Sequence, residues 1–176
     1  KFRIIDMAPP VPTADEVVIK LEYAAICNQN DYKIFYGLYG DLIKYPCEPG
    51  VYGHEGVGII TEIGSNVSNF KVGDRVVMML EGGPMLYREY VCRKAWSVVP
   101  VRTAAPEAAA VLEIFGCTHH CLEIAGDLGD KKVAIAGLGP AGLALLQLIS
   151  LNPPRELIGI EISEERAEAG RRLGMK

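Results

Sequence analysis

The sequence predicts an α/β plus β architecture, in which a barrel-like all-β domain precedes the beginning of a doubly wound parallel sheet. Short strand-like segments separated by glycine- and proline-containing turns fill most of the chain before residue 101. An alanine-rich, helix-permissive segment follows at 104–125. A strand, a glycine-rich loop and an apolar helix then come in the order typical of a dinucleotide-binding unit. We therefore expect a β-rich domain with its linking helix at 1–125 and a partial nucleotide-binding domain at 126–176.

The composition narrows the classes of partner. A formal net charge of −4 over 176 residues provides neither a basic face for nucleic acid nor a polybasic patch for a membrane. No apolar run approaches the roughly 20 residues that a membrane helix needs. Five cysteines without regular spacing argue against a disulfide framework and favour a reducing, cytoplasmic location. We expect a small-molecule substrate and no nucleic acid or membrane partner.

The first half of the chain alternates in the manner of half-buried strands. In 16–26, one side of the strand carries Val17, Ile19, Leu21 and Tyr23, and the other carries Val18, Lys20, Glu22 and Ala24. The remaining strand candidates of this half are 58–63, 74–79, 87–92 and 96–101. Pro106 suits the first turn of the helix that follows.

The second half changes to a β-α-β-α order. We predict strands at 131–136 and 157–162 and helices at 143–151 and 163–173. Ser163 is placed to cap the last helix at its start, and Gly174 at its end. Because an open parallel sheet usually has more than two strands, we expect the chain to be part of a longer enzyme. A complete small protein is the alternative.

The glycine-rich loop predicts a site for a dinucleotide. Gly137, Gly139 and Gly142 form G-x-G-x-x-G between a strand and a helix, where a backbone can approach a pyrophosphate closely. Glu161 ends the next strand, where a carboxylate would accept from ribose hydroxyls and repel the 2′-phosphate of NADP. The pattern therefore favours NAD. The alternative is a glycine turn for packing beside a solvated Glu161.

Four residues upstream are candidate metal ligands. Cys27 follows the first strand, His54 and Glu55 are adjacent, and Glu113 lies in the helical segment. Thiolate, imidazole and carboxylate are the usual donors to zinc, and a catalytic site has three protein ligands and an open position. Taken singly, each residue also fits a purely structural role, as a buried thiol, a hydrogen-bonded histidine or a helix glutamate.

A longer motif around His54 resembles a known family. The sequence reads Gly53-His-Glu-x-x-Gly58-x5-Gly64-x-x-Val67, followed by Gly73-Asp-Arg-Val76. This pattern is similar to the signature of zinc-containing medium-chain alcohol and polyol dehydrogenases, and the resemblance covers essentially the whole chain. It implies a GroES-like β-barrel catalytic domain followed by a Rossmann domain. It also implies that Cys27 and His54 bind zinc, with Glu55 a ligand or a close neighbour of the ligands.

The third zinc ligand separates two branches of this family. The alcohol dehydrogenase branch has a cysteine there, and the branch of sorbitol, threonine and sugar dehydrogenases has a glutamate. Glu113 lies 24 residues before Gly137, which resembles the spacing of the polyol branch. Cys117 is the rival and would shorten that spacing by a helical turn. We therefore predict Glu113 as the ligand.

Two departures from the family pattern affect the chemistry. Between Gly73 and Trp96 the chain has only Cys92, so we predict one catalytic zinc and no structural zinc. After Cys27, many members carry a hydroxyl residue that relays the substrate proton. Here either Gln29 or Asn30 stands at that position, depending on the alignment, and neither amide ionises. Water or Asp31 would then have to carry the substrate proton. The alternative role of Asp31 is to support the zinc ligands.

The resemblance implies transfer of a hydride between NAD and a secondary alcohol, polyol or sugar. Two alternatives are a zinc-free reductase of quinones or activated alkenes from the same superfamily and a non-catalytic NAD-binding protein. The chain alone is expected to be inactive, and the full-length protein to be a homo-oligomer, a dimer or a tetramer.

Overall fold

A computed structural model describes residues 3–47, 51–79, 85–102 and 104–175. The chain forms two compact units, Lys1–Glu113 and Ile114–Lys176. The units divide inside the helical segment that the sequence analysis placed wholly in the first domain. The domain boundary at residue 125 therefore stays a prediction.

The first unit contains an antiparallel sheet. In the described residues it has five strands in the order β4-β1-β2-β3-β5 and does not close on itself. The strands are β1 (Glu16–Ala25), β2 (Glu55–Ile63), β3 (Arg75–Met78), β4 (Tyr90–Lys94) and β5 (Val98–Pro100). The strand predicted at 87–92 is β4, which begins three residues later and ends two residues later than predicted. The strand predicted at 96–101 begins only at Val98, because Ala95–Ser97 forms a 3-10 turn.

The alternation predicted for β1 holds only from Ile19 to Glu22. At the beginning of the strand Val18, on the opposite side, is buried as well, because β1 is central to the sheet, and Tyr23 farther along is 44% exposed. Val17 and Ile19 are fully buried and pack in a core formed by side chains of the strands and the loops between them. This core comprises Val17, Ile19, Ile60, Val67, Val76, Met78, Leu86, Val91 and Val98. The register against β2 shifts near Ile19 and again near Tyr23. Such irregularities change the direction of a strand end.

Short helices connect and flank the sheet. Helix α1 (Asn30–Phe35) follows β1 and buries Asp31 and Ile34. Sequence analysis missed α1 because six residues give too few turns to show a helical period. The segment predicted as one helix at 104–125 is two helices, α2 (Pro106–Ala109) and α3 (Leu112–Ala125). Pro106 occupies the first turn of α2, as predicted.

The second unit has the predicted β-α-β-α order. Its elements are β6 (Lys132–Ala136), α4 (Pro140–Ser150), β7 (Glu156–Ile160) and α5 (Glu164–Arg172). Strands β6 and β7 pair in parallel, which confirms the prediction of a parallel sheet. Ile135, Leu138, Leu146, Ile149 and Met175 form the core. Ser163 stands at the start of α5, although its side chain makes no capping hydrogen bond.

Within the described part of the chain, no helix combines the length and apolarity that crossing a membrane would require.

Candidate metal centre and nucleotide loop

Three of the four predicted metal ligands converge in the first unit. One ligand atom each from Cys27, His54 and Glu55 lies within 4.8 Å of the others. His54 Nε2 is 3.8 Å from Glu55 Oε1, so this ring nitrogen faces the carboxylate. His54 and Glu55 are 7% and 8% exposed, and Cys27 is half-buried. In the described residues this is the one group of three or more potential ligands that meets so closely.

Strand pairing explains why residues so distant in sequence meet. Strands β1 and β2 are antiparallel, and Ala25 at the end of β1 pairs with Glu55 at the start of β2. Cys27 lies two residues beyond β1, and His54 immediately precedes β2. An antiparallel pair brings the end of one strand beside the start of the next. The thiol and the imidazole therefore meet at one end of the β1–β2 pair.

Asp31 joins the two ligand-bearing loops. Its Oδ2 accepts a hydrogen bond of 3.0 Å from the backbone N–H of Cys27, and its Oδ1 accepts one of 3.1 Å from that of Gly53. The Tyr87 hydroxyl donates to Oδ2 at 2.6 Å. The carboxylate is 5% exposed and has both oxygens engaged. Asp31 therefore anchors the site, and its role as a proton relay stays a prediction.

Tyr87 also closes over the loop that carries His54. Gly53 has a φ of +81°, and a Cβ at this position would overlap the Tyr87 ring. The ring of Tyr52 stacks on that of Tyr87 at 6.5 Å between centroids. Burial raises the pKa of the Tyr87 hydroxyl above its ordinary value, and its hydrogen bond to Asp31 adds to this effect. The hydroxyl is therefore a stable donor.

Asn30 contacts both the thiol and the imidazole. Its backbone N–H donates to Cys27 Sγ at 3.3 Å, and its side-chain Nδ2 lies 3.4 Å from His54 Nδ1. The Tyr39 hydroxyl donates to Asn30 Oδ1 at 2.6 Å. Gln29, the other candidate for the hydroxyl position, is exposed.

Sequence analysis did not find the contacts of Tyr39 and Tyr87. In the sequence, Tyr39 lies outside every predicted helix and strand, and Tyr87 falls at the start of the strand predicted at 87–92. Neither residue belongs to a motif with metal-binding spacing. The one available signal was the abundance of tyrosine near the candidate ligands, which does not identify partners.

Glu113 is buried near this group but lies outside the three-residue cluster. It is 7% exposed, and burial raises the pKa of its carboxyl above the ordinary value. The nearby His54 opposes this shift, and the carboxylate of Glu55 reinforces it. Cys117, the rival third ligand, is exposed. The assignment of Glu113 as a ligand stays a prediction.

The chemistry of these side chains fits a zinc ion. Sulfur, imidazole nitrogen and carboxylate oxygen are the donors that zinc takes in proteins. Glu55 and Glu113 are two buried carboxylates close enough to influence each other. Buried carboxylates are costly without a compensating positive charge, and a divalent cation would supply it.

The glycine-rich loop of the second unit has the backbone that a phosphate site requires. Gly137 has a φ of +88°, and a Cβ at Gly142 would collide with the Gly137 carbonyl oxygen. Both positions therefore require glycine. Helix α4 begins directly after Gly139, so its N-terminus faces the loop, where an anion is favoured.

Glu161 is tied to this loop through backbone amides. Its Oε2 accepts from the N–H of Leu138 at 2.7 Å, and its Oε1 accepts from those of Ile162 and Ser163 at 2.8 and 2.9 Å. These hydrogen bonds hold the pKa of the carboxyl below its ordinary value. The carboxylate is half-buried and connects the end of β7 to the turn after β6.

Comparison with known proteins assigns the chain to a family. The alcohol dehydrogenase GroES-like domain matches residues 13–103. D-arabitol-phosphate dehydrogenase of Enterococcus avium is 31% identical over 84% of this chain and 49% of its own length. Acryloyl-coenzyme A reductase of Sulfurisphaera tokodaii is 28% identical over 95% of this chain and 57% of its own. The chain thus spans about half the length of the curated relatives it matches.

The fold agrees with the sequence matches. The crystal structure of galactitol-1-phosphate dehydrogenase from Escherichia coli superposes with a TM-score of 0.84 at 23% identity, covering 98% of this chain and 56% of that one. The fold and the sequence matches therefore agree on the same family. The chain belongs to the alcohol dehydrogenase GroES-like domain family, whose members among its relatives include alcohol and polyol dehydrogenases. The predicted fold class and family are confirmed.

Proposed function

We propose that the whole protein is a zinc-dependent oxidoreductase that transfers a hydride between NAD and a secondary alcohol, polyol or sugar. The observation that carries this proposal is the convergence of Cys27, His54 and Glu55 within 4.8 Å at one end of the β1–β2 pair. His54 and Glu55 are buried, and the thiol of Cys27 is half-buried beside them. Their shared use is the binding of a soft or borderline metal ion.

Cys27 and His54 would hold the ion, and Glu55 and Glu113 would supply the carboxylate oxygens. When bound, zinc supplies a Lewis acid that favours ionisation of an alcohol and polarisation of a ketone. Asp31 keeps the loops of Cys27 and Gly53 at a fixed separation through its two backbone hydrogen bonds. This fixed separation lets the thiol and the imidazole keep their geometry during turnover.

The route of the substrate proton differs from that in relatives with a hydroxyl after the cysteine. Asn30 lies beside the ligands and cannot ionise, and Asp31 is engaged by three donors. Water is therefore the simplest proton acceptor. Asp31 would take this role only by giving up one of its present hydrogen bonds.

NAD is the cofactor that the second unit fits best. The loop at Gly137 and Gly142 and the N-terminus of α4 suit a pyrophosphate. Glu161 directly follows β7, the position from which a carboxylate would accept from ribose hydroxyls in this kind of fold, and its negative charge would repel a 2′-phosphate. The cofactor itself carries the hydride, and the protein orients it.

A polyol or sugar-type substrate is favoured by two observations. Glu113, rather than Cys117, is buried beside the ligand cluster, as in the polyol branch. The relatives also include a D-arabitol-phosphate dehydrogenase. We further infer a cytoplasmic location, because the five cysteines follow no disulfide spacing. A homo-oligomer, either a dimer or a tetramer, stays a prediction from the family resemblance.

Metal analysis tests the proposal most simply. The purified protein is expected to contain one zinc per chain, and Cys27→Ala is expected to lose it. Cys121→Ala, which removes an exposed cysteine, is the matched control and should keep the zinc. The full-length enzyme should reduce NAD with polyols, and Cys27→Ala should not. A protein without zinc, or zinc retained by Cys27→Ala, would refute the proposal.

A second function is favoured by the similarity to acryloyl-coenzyme A reductase. Reduction of an activated alkene would use the same fold and a nicotinamide cofactor. A zinc-free reductase does not require Cys27, His54 and Glu55 together, so their convergence counts against it. Oxidation of NADH or NADPH by an acryloyl thioester, unaffected by Cys27→Ala, would support this second function. Zinc-dependent oxidation of a polyol would exclude it.

A further inference from the structure

Asn30 contacts both the thiol of Cys27 and the imidazole of His54. Its backbone N–H donates to Cys27 Sγ, and its side-chain amide lies 3.4 Å from His54 Nδ1. The opposite end of the amide is held by the Tyr39 hydroxyl at 2.6 Å. Asn30 is half-buried, and so is Tyr39. The amide therefore has a fixed place beside the imidazole.

The imidazole imposes a requirement on this amide. His54 Nε2 faces Glu55, so Nε2 is the nitrogen directed into the cluster. A neutral imidazole that gives its Nε2 lone pair to a metal carries its proton on Nδ1. The Nδ1–H group then needs an acceptor, and such acceptors are what orient metal-binding histidines.

Asn30 can become that acceptor without moving its backbone. A half-turn of the terminal amide exchanges its oxygen and nitrogen positions. The oxygen then faces His54 Nδ1–H, and the NH2 group faces the Tyr39 hydroxyl oxygen, which accepts hydrogen bonds as well as it donates them. Both contacts persist with their donors and acceptors reversed.

Asp31 is not available for this task. Its two oxygens accept from the backbone N–H groups of Cys27 and Gly53, and Tyr87 donates to it as well. Turning toward His54 would leave buried N–H groups without their acceptor, which costs on the order of 1–3 kcal/mol each. The amide of Asn30 has no such commitment to the backbone.

We propose that Asn30, held by Tyr39, is the positioning residue for His54, with Oδ1 accepting from His54 Nδ1–H when the site holds its metal. This inference rests on the proposed zinc site and concerns how the chain prepares it. Asn30, one of the two amides that are candidates for the family's hydroxyl position, thus supports metal binding rather than acting as a defective proton relay.

Zinc affinity, measured by competition with a chromophoric chelator, tests the proposal in four variants. Asn30→Leu is expected to weaken zinc binding by roughly 10- to 100-fold, the usual cost of losing a residue that supports a ligand. Asn30→Asp, whose carboxylate also accepts from Nδ1–H, should restore the affinity. Tyr39→Phe should weaken it to a smaller extent. Gln29→Leu, which changes the exposed neighbouring amide, should leave it unchanged.

The outcomes separate this inference from the zinc site itself. If the unchanged protein binds no zinc, the proposed function fails. If it binds zinc and Asn30→Leu binds equally tightly, only the role of Asn30 is overturned. Thermal unfolding in the presence of chelator shows whether each variant folds.

A second measurement leaves Asn30, Tyr39 and the ligands unchanged, and uses variants only to assign the histidine signals. The chain has three histidines, so the ring nitrogen-15 signals of the zinc-loaded protein can be assigned by removing His119 and His120. We expect His54 to be bound through Nε2 and protonated at Nδ1, with the Nδ1 proton coupled across a hydrogen bond to Asn30. Binding through Nδ1, or an Nδ1 proton that exchanges freely with solvent, would overturn the proposal.

Discussion

The Tyr87 hydroxyl donates a hydrogen bond of 2.6 Å to Asp31 Oδ2, across a sequence separation of 56 residues. The same carboxylate accepts from the backbone of Cys27 and of Gly53. The position of two candidate zinc ligands thus depends on a tyrosine from a distant part of the chain. Loss of this contact should affect both stability and metal binding.

Tyr87→Phe is expected to lower the free energy of unfolding by about 1–2 kcal/mol, because it removes a hydrogen bond to a charged, buried acceptor. Asp31→Ala should lower the free energy of unfolding further than Tyr87→Phe does, since it leaves the N–H groups of Cys27 and Gly53 without their acceptor. Urea unfolding measures both effects. Tyr36→Phe, at a tyrosine that is 62% exposed, is the control and should change the stability little. Equal effects of Tyr87→Phe and Tyr36→Phe would contradict this account of the anchor.

Gly53→Ala and Gly73→Ala should lower the free energy of unfolding by different amounts, although both glycines have positive φ angles, +81° and +93°. At Gly73 a Cβ meets open space, so alanine adds only backbone strain, about 1–2 kcal/mol. At Gly53 the Cβ would also overlap the Tyr87 ring. We expect Gly53→Ala to be clearly more destabilising in thermal or urea unfolding. Tyr87→Ala in the Gly53→Ala background should recover part of the difference, and additive losses would argue against the clash.

Glu113→Gln should change stability and zinc affinity in opposite directions. Burial raises the pKa of the Glu113 carboxyl, so its charged form is disfavoured in the folded protein, and the amide removes that cost. The metal-depleted protein should therefore become more stable, as measured by unfolding in chelator at neutral pH. Zinc affinity should fall on the order of tenfold or more, because a negative charge at the site is lost.

Cys117→Ala is the comparison for Glu113→Gln, because Cys117 is the rival third ligand. It is expected to keep full zinc affinity. The opposite pattern, with zinc lost in Cys117→Ala and kept in Glu113→Gln, would place the chain in the branch that uses a cysteine.

Glu161 gives the second unit a pH-dependent contribution to stability. Backbone hydrogen bonds lower its folded-state pKa below the ordinary value of 4.5, so its stabilisation is present above that value and is lost as the pH falls through the folded pKa. Glu161→Gln should lower the melting temperature at neutral pH, and the difference from the unchanged protein should shrink under acid. Glu165→Gln, at an exposed glutamate nearby, is the control. A difference independent of pH would show that the charge of Glu161 is not stabilising.

The strands of the first half and the β-α-β-α order of the second half were predictable because their signals are local. Alternation in β1 and the β-α-β order around Gly137 each follow from a short stretch of sequence. The ends of β4 and β5 were misplaced, since the 3-10 turn at Ala95–Ser97 carries no distinctive pattern. Helix α1 was missed for the related reason that it is too short to show a period.

The candidate site divides in the same way. The family resemblance indicated Cys27 and His54 as ligands. The pairing of Ala25 with Glu55 explains why the two residues meet. The partners Asn30, Tyr39 and Tyr87 could not be predicted, because their contacts depend on how loops pack across the sheet end. In the sequence, Asn30 is one of two amides that could stand at the hydroxyl position and cannot ionise. Only its distance to His54 Nδ1 indicates another role.

X-ray absorption at the zinc edge of the purified protein tests the central claim most directly. The account predicts one zinc per chain with a single sulfur neighbour at about 2.3 Å and nitrogen and oxygen neighbours at about 2.0–2.2 Å. In Cys27→Ser the sulfur neighbour should disappear. A shell with no sulfur, a shell with two or more sulfurs, or a protein that takes up no zinc would contradict the account.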